Sequence, residues 1–426
     1  MSETFNKINR IQGTLELPGD KSISHRAVMF SSLAKGKSEI RNLSNGQDVY
    51  SSISCFKSLG VEIEGDENLL SIIGRGLFGL KEPIKELNCG NSGTTARLLS
   101  GILAMQKFES TIIGDNSLSK RPMKRITAPL EEMGARIKYL RGVTLPLAFL
   151  PSEKQHSINY TLPEASAQIK GAILLASIHL TDVTSIFEKV ETRDHTERML
   201  NLKTDITERG KKIYSSNEFY PASKEYFIPS DISTASFFII LTLLIPNSEL
   251  RIKNVSLNKT RTGILDILRL MGADIISEDK KISAGEPYGD IIVKSSLLNN
   301  IKVPEEIIPN IIDEIPILSV AGLFAEGNFE IRNAKELRLK ESDRINSLCY
   351  NYAQLGLNVE EFEDGFSLKG EIKENNPFFE SFNDHRIAMT FGILASLLKC
   401  GGKVNNFICV GISNPNFLNQ LKTVAR

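Results

Sequence analysis

Several common signatures are missing from these 426 residues. The five cysteines, Cys55, Cys89, Cys349, Cys400 and Cys409, are odd in number and contain no Cys-x-x-Cys pair. That argues against a disulfide framework and against a zinc site, and each reads as a small buried hydrophobe. No His/Glu spacing suggests another metal site, so neither metal nor cofactor is expected. Neither sign of charge is in excess: Lys+Arg and Asp+Glu are both 51. With no net field to gather them, nucleic acid and anionic membrane are not expected partners. The longest apolar runs, near Ala235–Ile245 and Ile169–Leu180, are too short for a bilayer and read as buried helices. Met1–Arg10 is polar and has no signal-peptide core, so a cytoplasmic location is expected. Low-complexity stretches and long linkers are also absent. What remains is ordinary globular composition, 41% hydrophobic and 24% charged, in a length that favours two or three domains.

The stretch Pro18-Gly-Asp-Lys-Ser-Ile-Ser-His-Arg26 organises the rest. Alternating residues Ile11–Leu17 lead into it as a strand, and Pro18-Gly19-Asp20 breaks that strand. Ser22 then reads as the N-cap of an apolar helix over Ala27–Leu33. Lys21, Ser22 and Arg26 meet at or beside a helix start, where free N–H groups and partial positive charge favour an anion. A nucleotide P-loop is excluded, because the first glycine of Gly-x-x-x-x-Gly-Lys-Ser is missing. Taken alone, the stretch is an ordinary capped helix.

Five echoes change that. Asn91–Arg97, Glu164–Lys170, Ser230–Ala235, Asp313–Pro316 and Asn383–Ala388 each place a polar head before a strongly apolar helix. The heads recur about every 65–82 residues, the period of a supersecondary unit rather than a solenoid. After each helix come a strand, a polar helix and often Leu-Gly or Met-Gly before another strand, as at Gly60, Gly134, Gly272 and Gly356. That glycine suits a left-handed helix C-terminus. The third and sixth copies lack it. Six β-α-β-α-β units are too many for one core, so an α/β fold of two three-repeat domains is expected. The expected division is residues 21–229 against residues 1–20 plus 230–426, with the six positive helix ends presented to an interdomain cleft. Each helix end stabilises an anion by only about 0.3–2 kcal/mol, and Lys21, Arg26, Arg97, Lys170 and Arg386 accompany the heads.

Three more stretches add charge. Arg121 lies in Ser119–Arg125, between a strand and a helix, and Thr192–Arg198 mixes donors and acceptors at a similar point of the third copy. Leu337–Arg344 places Lys340 and Arg344 at i, i+4 on one helical face, with Glu341 beside them.

Together these stretches resemble the EPSP synthases (5-enolpyruvylshikimate-3-phosphate synthases) of the enolpyruvyl transferase family. The resemblance runs nearly end to end, through Pro18–Arg26, Gly90–Arg97, Arg121-Pro122, Ser166-Ala-Gln168, Thr192–Glu197, Asp231–Phe238, Asp313–Pro316, Leu337–Arg344 and Asp384–Met389. Ser-Ala-Gln and Thr-Arg-Asp-His-Thr-Glu are similar to the family's second sequence class, often linked to glyphosate tolerance. The resemblance implies two inside-out α/β domains, the first strand pairing with the second half of the chain, and closure over shikimate 3-phosphate and phosphoenolpyruvate. It implies transfer of the enolpyruvyl group to the 5-hydroxyl with release of phosphate, and a monomer is expected. Carried over by position, Lys21, Ser22, Arg26, Ser166, Ala167, Gln168, Thr192, Arg193, Asp313 and Lys340 bind shikimate 3-phosphate. Lys21, Gly93, Arg121, Gln168, Arg344 and Arg386 hold phosphoenolpyruvate, and Asp313, Glu341 and Lys21 are catalytic.

The charges agree with that assignment. At an effective dielectric of about 20, each pair of like unit charges ~5 Å apart costs about 3 kcal/mol. Two polyanions therefore need clustered Lys and Arg, whose planar forks suit carboxylate and phosphate. Departures from the family pattern are Ser230, where many members have glycine, and Gly411–Pro415, which lacks a lysine some members direct at phosphoenolpyruvate. His25, His195 and His385 read as orienting hydrogen-bonders, and His156 and His179 as structural or surface residues. Two alternatives are a UDP-N-acetylglucosamine enolpyruvyl transferase, whose loop cysteine has no counterpart in Asp115–Arg121, and a catalytically silent anion-binding scaffold, which has no need of Asp313 and Glu341.

Overall fold

The computed structural model describes residues 2–373 and 376–426. The chain divides into two units. One is Gly19–Ile228 with Ile282–Glu286; the other is Met1–Pro18, Pro229–Lys281 and Pro287–Arg426.

In the unit of Gly19–Ile228, three core helices, Lys21–Leu33, Gly93–Leu103 and Ala167–Ser177, are buried on nearly every face. A helix apolar all round has to sit inside, so the sheets form the outer layer. The second and third core helices pack with almost no gap. A Cβ on Gly101 would lie 2.1 Å from the Ala172 carbonyl oxygen, and one on Gly171 would lie 2.7 Å from Leu98. Each helix leads to a four-stranded sheet. Lys35–Arg41 is flanked by Glu225–Phe227, parallel, and by Leu69–Arg75, antiparallel, with Glu62–Gly65 at the edge. Ser110–Ile113 and Thr184–Glu188 hold the same place in the other two sheets. Strand residues alternate: Ser38 and Ile40, or Leu70 and Ile72, face the helices while their neighbours face solvent. In complete copies the polar helix is followed by two strands.

The other unit repeats the plan with core helices Ile232–Leu244, Ile315–Phe324 and His385–Leu397. Its first parallel strand is Gln12–Leu15, which pairs with Glu249–Ser256. The strand that precedes Ile232–Leu244 in sequence, Glu225–Phe227, pairs instead with Lys35–Arg41. Two strands are thus exchanged, and the chain crosses at Pro18-Gly19 and Ile228-Pro229. Ser230 is fixed there, with its hydroxyl 3.0 Å from the Leu17 carbonyl oxygen.

The two weak copies have local explanations. In the third, Asn201 takes the left-handed position, with φ 53°, that Gly60, Gly134, Gly272 and Gly356 fill elsewhere. In the sixth, Gly402–Val404 pairs antiparallel with Glu3–Phe5 and parallel with Phe378–Phe379. A short helix, Phe417–Val424, ends that copy. No single helix among the described residues is long and apolar enough to cross a membrane, and one pair, Glu305–Ile311 with Ile315–Phe324, reaches that length only across a 117° bend.

His179 gives the fold a pH dependence. Its Nδ1 lies 3.0 Å from the Leu175 carbonyl oxygen and its Nε2 3.3 Å from Gln106 Nε2, inside the core. Burial pushes its pKa down to about 4. The unfolded chain therefore binds a proton near pH 6.5 that the folded chain refuses until about pH 4. Stability is expected to fall by roughly 3 kcal/mol across that window from this residue alone. Urea denaturation of wild type and His179→Gln at pH 7 and 4.5 checks it: the variant loses less on acidification.

Candidate active site

The first core helix begins at Lys21, earlier than expected, and its cap is Asp20, whose Oδ1 accepts the Ile23 N–H at 2.9 Å. Ser22 is therefore not the N-cap; it lies in the first turn, half-buried beside Lys21. Lys21 Nζ is 3.1 Å from Asp48 Oδ2. Arg26, 4% exposed, donates from Nε to Thr196 Oγ1 at 2.8 Å and from a terminal nitrogen to the Ser22 carbonyl at 3.0 Å. Burial lowers its pKa to about 10, against the opposing pull of Glu197, Glu286 and Asp20. It stays a cation at neutral pH.

Ser92 and Ser166 cap the second and third core helices through the Thr95 and Ile169 N–H groups. Their first turns carry Gly93, and Ala167 with Gln168. The Gln168 side-chain oxygen accepts from Arg97. Arg121 stands on the loop before Lys124–Glu132 and donates to Asn91 Oδ1 at 2.9 Å. A Cβ on Gly93 would lie 3.3 Å from one Arg121 nitrogen and 3.5 Å from one of Arg97. Gly93, Arg97, Arg121 and Gln168 therefore form one group, with Arg26 against the same helices at Gly171. Gly93→Ala is expected to shift the Arg121 fork by a few tenths of an ångström. If Arg121 holds phosphoenolpyruvate, as the family resemblance implies, the KM for that substrate should rise by up to about tenfold, with little change for the acceptor. Steady-state kinetics with each substrate varied checks this.

Lys170 is not a ligand-facing cation. It is 1% exposed and held by Glu188 at 2.9 Å and Glu197 at 2.7 Å. Burial works to lower its pKa, and Glu197 and Glu188 outweigh burial and raise it. Thr192 is turned inward, its hydroxyl donating to Glu188 at 2.8 Å, while Arg193 is half-buried.

In the other unit, Asp231 and Asp384 cap their helices through the Ser233 and Arg386 N–H groups, and Glu314 precedes the third. The three starts meet through side chains. Glu314, fully buried, accepts from Ser233 and lies 3.7 Å from Arg261. The Asp313 carbonyl accepts from Arg386 at 2.9 Å, and its carboxylate lies 3.7 Å from the same guanidinium. Arg344, 1% exposed, is the hub: Asp313 lies at 3.3 Å, Glu341 at 2.6 Å and Asp384 at 2.7 Å. Burial works against its charge, and Asp384, Glu341 and Asp313 outweigh burial, raising its pKa. For Asp384, burial works upward and Arg344 outweighs it, holding the carboxyl below its usual range.

Lys340 and Arg344 do not share a helical face. Lys335–Leu339 is one short 3-10 turn, Lys340 is extended, and a new helix starts at Arg344 under the Asp343 cap. Lys340 pairs instead with Glu336 at 3.0 Å. Asn414 is fully buried and donates to Gln420 at 2.7 Å, so that segment's asparagine is a packing residue.

Sequence reasoning missed Asp48, Asn91, Thr196 and Asp384 as partners of the site cations. Asn91 and Asp384 stand inside the polar heads, where cap residues are read for their backbone bonds; Asp48 and Thr196 come from other elements.

The sequence profile of EPSP synthase (3-phosphoshikimate 1-carboxyvinyltransferase) matches residues 5–421. The chain belongs to the EPSP synthase family. A 3-phosphoshikimate 1-carboxyvinyltransferase of Salinibacter ruber is 41% identical, with both chains covered in full. Another, from Oceanobacillus iheyensis, is 44% identical over 98% of this chain and 97% of that protein. The solved EPSP synthase of Acinetobacter baumannii shares 37% identity at a TM-score of 0.86, covering 100% of this chain and 98% of its own. The enolpyruvyl transferase NikO of Streptomyces tendae, 13% identical at a TM-score of 0.77, covers 99% of this chain and 97% of its own; it shares the fold.

Proposed function

We propose that the chain transfers the enolpyruvyl group of phosphoenolpyruvate to the 5-hydroxyl of shikimate 3-phosphate, releasing phosphate. The observation that carries this reading is the seating of Asp313 and Glu341 on different nitrogens of Arg344, 3.3 and 2.6 Å away. Both carboxylates keep some exposure, 14% and 17%. A silent anion scaffold has no use for two accessible carboxylates beside its cations.

Lys21, Ser22, Arg26, Ser166, Ala167, Gln168, Arg193, Asp313 and Lys340 take shikimate 3-phosphate. Thr192 supports Arg193 through its inward bonds to Glu188. Lys21, Gly93, Arg121, Gln168, Arg344 and Arg386 take phosphoenolpyruvate, whose carboxylate and phosphate suit planar guanidinium forks.

Asp313 accepts the 5-hydroxyl proton as that oxygen bonds to the central carbon of phosphoenolpyruvate. Glu341, assisted by Lys21, gives a proton to the methylene carbon, making it a methyl group. In the second half the methyl group loses a proton, the double bond re-forms, and the carbon–oxygen bond to phosphate breaks. Each positioned proton carrier contributes roughly 10²–10⁴ in rate.

The test is phosphate release from phosphoenolpyruvate with either acceptor. Release with shikimate 3-phosphate and none with UDP-N-acetylglucosamine is expected. The reverse preference, or no release with either, would overturn the reading.

A further inference from the structure

Ile282–Glu286 connects the strands Asp274–Ser283 and Glu286–Lys294, yet it groups with Gly19–Ile228. Ala284 and Gly285 both have positive φ, 47° and 83°, so the chain reverses tightly just before Glu286. Three contacts seat the turn. Ser283 Oγ accepts the Phe227 N–H at 3.0 Å. A Cβ on Gly285 would lie 2.5 Å from the Arg198 carbonyl oxygen, so the backbone approaches as only glycine allows. Glu286 Oε1 lies 2.8 Å from His195 Nδ1, with both side chains fully buried.

His195 opens the helix His195–Leu200, and the next residue, Thr196, accepts Arg26 Nε at 2.8 Å. The His195 Nε2 atom has no hydrogen-bond partner among the described residues. The bond through Nδ1 therefore sets the orientation of the ring. Burying a carboxylate is costly, and an apolar pair of equal volume would serve packing as well. The Glu286 charge also falls within range of Arg26, where it opposes the effect of burial.

We propose that Glu286 is a positioning residue for the binding of shikimate 3-phosphate: through His195 it fixes the Thr196 hydroxyl, which aims the Arg26 guanidinium. This rests on the proposed reading of Arg26 as a ligand of shikimate 3-phosphate. Nothing in the sequence pairs position 286 with 195 or 26.

Steady-state kinetics of Glu286→Ala and Glu286→Gln, with melting curves, tests it. In Glu286→Ala, KM for shikimate 3-phosphate should rise about tenfold or more, the loss expected when a charged hydrogen bond is removed. The kcat and the KM for phosphoenolpyruvate should stay within about threefold. Glu286→Gln keeps an acceptor for the ring N–H and should recover most of the loss. Should the alanine variant not fold, Glu286→Asp, one methylene shorter, replaces it, with a rise of at least about threefold. An unchanged acceptor KM in folded variants, or equal rises for both substrates, overturns the proposal. Arg26→Lys reads the underlying assignment separately. A raised acceptor KM there beside an unchanged one in the Glu286 variants overturns the positioning role alone. An unchanged KM in Arg26→Lys overturns both.

Discussion

Asp313→Ala is expected to reduce kcat by roughly 10²–10⁴ while leaving both substrates bound. The sign of the binding effect follows from its partners. Asp313 is a counter-charge to Arg344 at 3.3 Å and Arg386 at 3.7 Å, so its removal makes the site more positive. Binding of two polyanions should hold or tighten even as turnover collapses. Asp313→Asn should behave alike in kcat, since the amide keeps the shape and loses the base. Titration calorimetry beside single-turnover phosphate release separates the two effects. A kcat within about threefold of wild type would remove Asp313 from the proton transfers.

Arg344→Met carries the largest expected cost in stability. Arg344 is 1% exposed and neutralises Asp384, which is fully buried, while also holding Asp313 and Glu341. Removing one partner of a buried pair strands the other charge, at about 3–5 kcal/mol. Asp384 also caps the helix His385–Leu397 through the Arg386 N–H, so strain reaches a second site cation. Because Asp384 has its pKa depressed, the pair stabilises the fold above the ordinary carboxylate range and is lost as pH falls through the folded value. Urea midpoints for wild type, Arg344→Met and Arg344→Met with Asp384→Asn check this. The double variant should recover part of the loss. A single variant within about 1 kcal/mol of wild type would mean that the charge is solvated.

Much of the plan was legible because its signals are local. An apolar helix behind a polar cap is written in about a dozen consecutive residues, so all six core helices could be read from their polar heads. Errors arose where a choice depended on neighbours. Ser22 and Asp20 are both good caps, and only the path from Pro18 decides that Asp20 reaches the Ile23 N–H. Lys340 and Arg344 have helical spacing, but Asp343 restarts the helix between them. Lys170 looked like another anion ligand because Glu188 and Glu197, which bury it, lie 18 and 27 residues further along the chain. The third copy hid its turn in Asn201, and the sixth borrows Glu3–Phe5 from the far end of the chain. Within the candidate site, the cations and carboxylates were readable from the motifs. The partners that orient them, Asp48, Thr196 and Glu286 among them, are brought in by tertiary structure.

The most direct test is the mass of the product formed from shikimate 3-phosphate and phosphoenolpyruvate in deuterium oxide. If a transient methyl group forms and then gives up one of its hydrogens, an enolpyruvyl ether carrying deuterium at its methylene carbon is predicted. A product without deuterium would contradict proton delivery to and return from that carbon, and the absence of any ether would contradict the transfer itself.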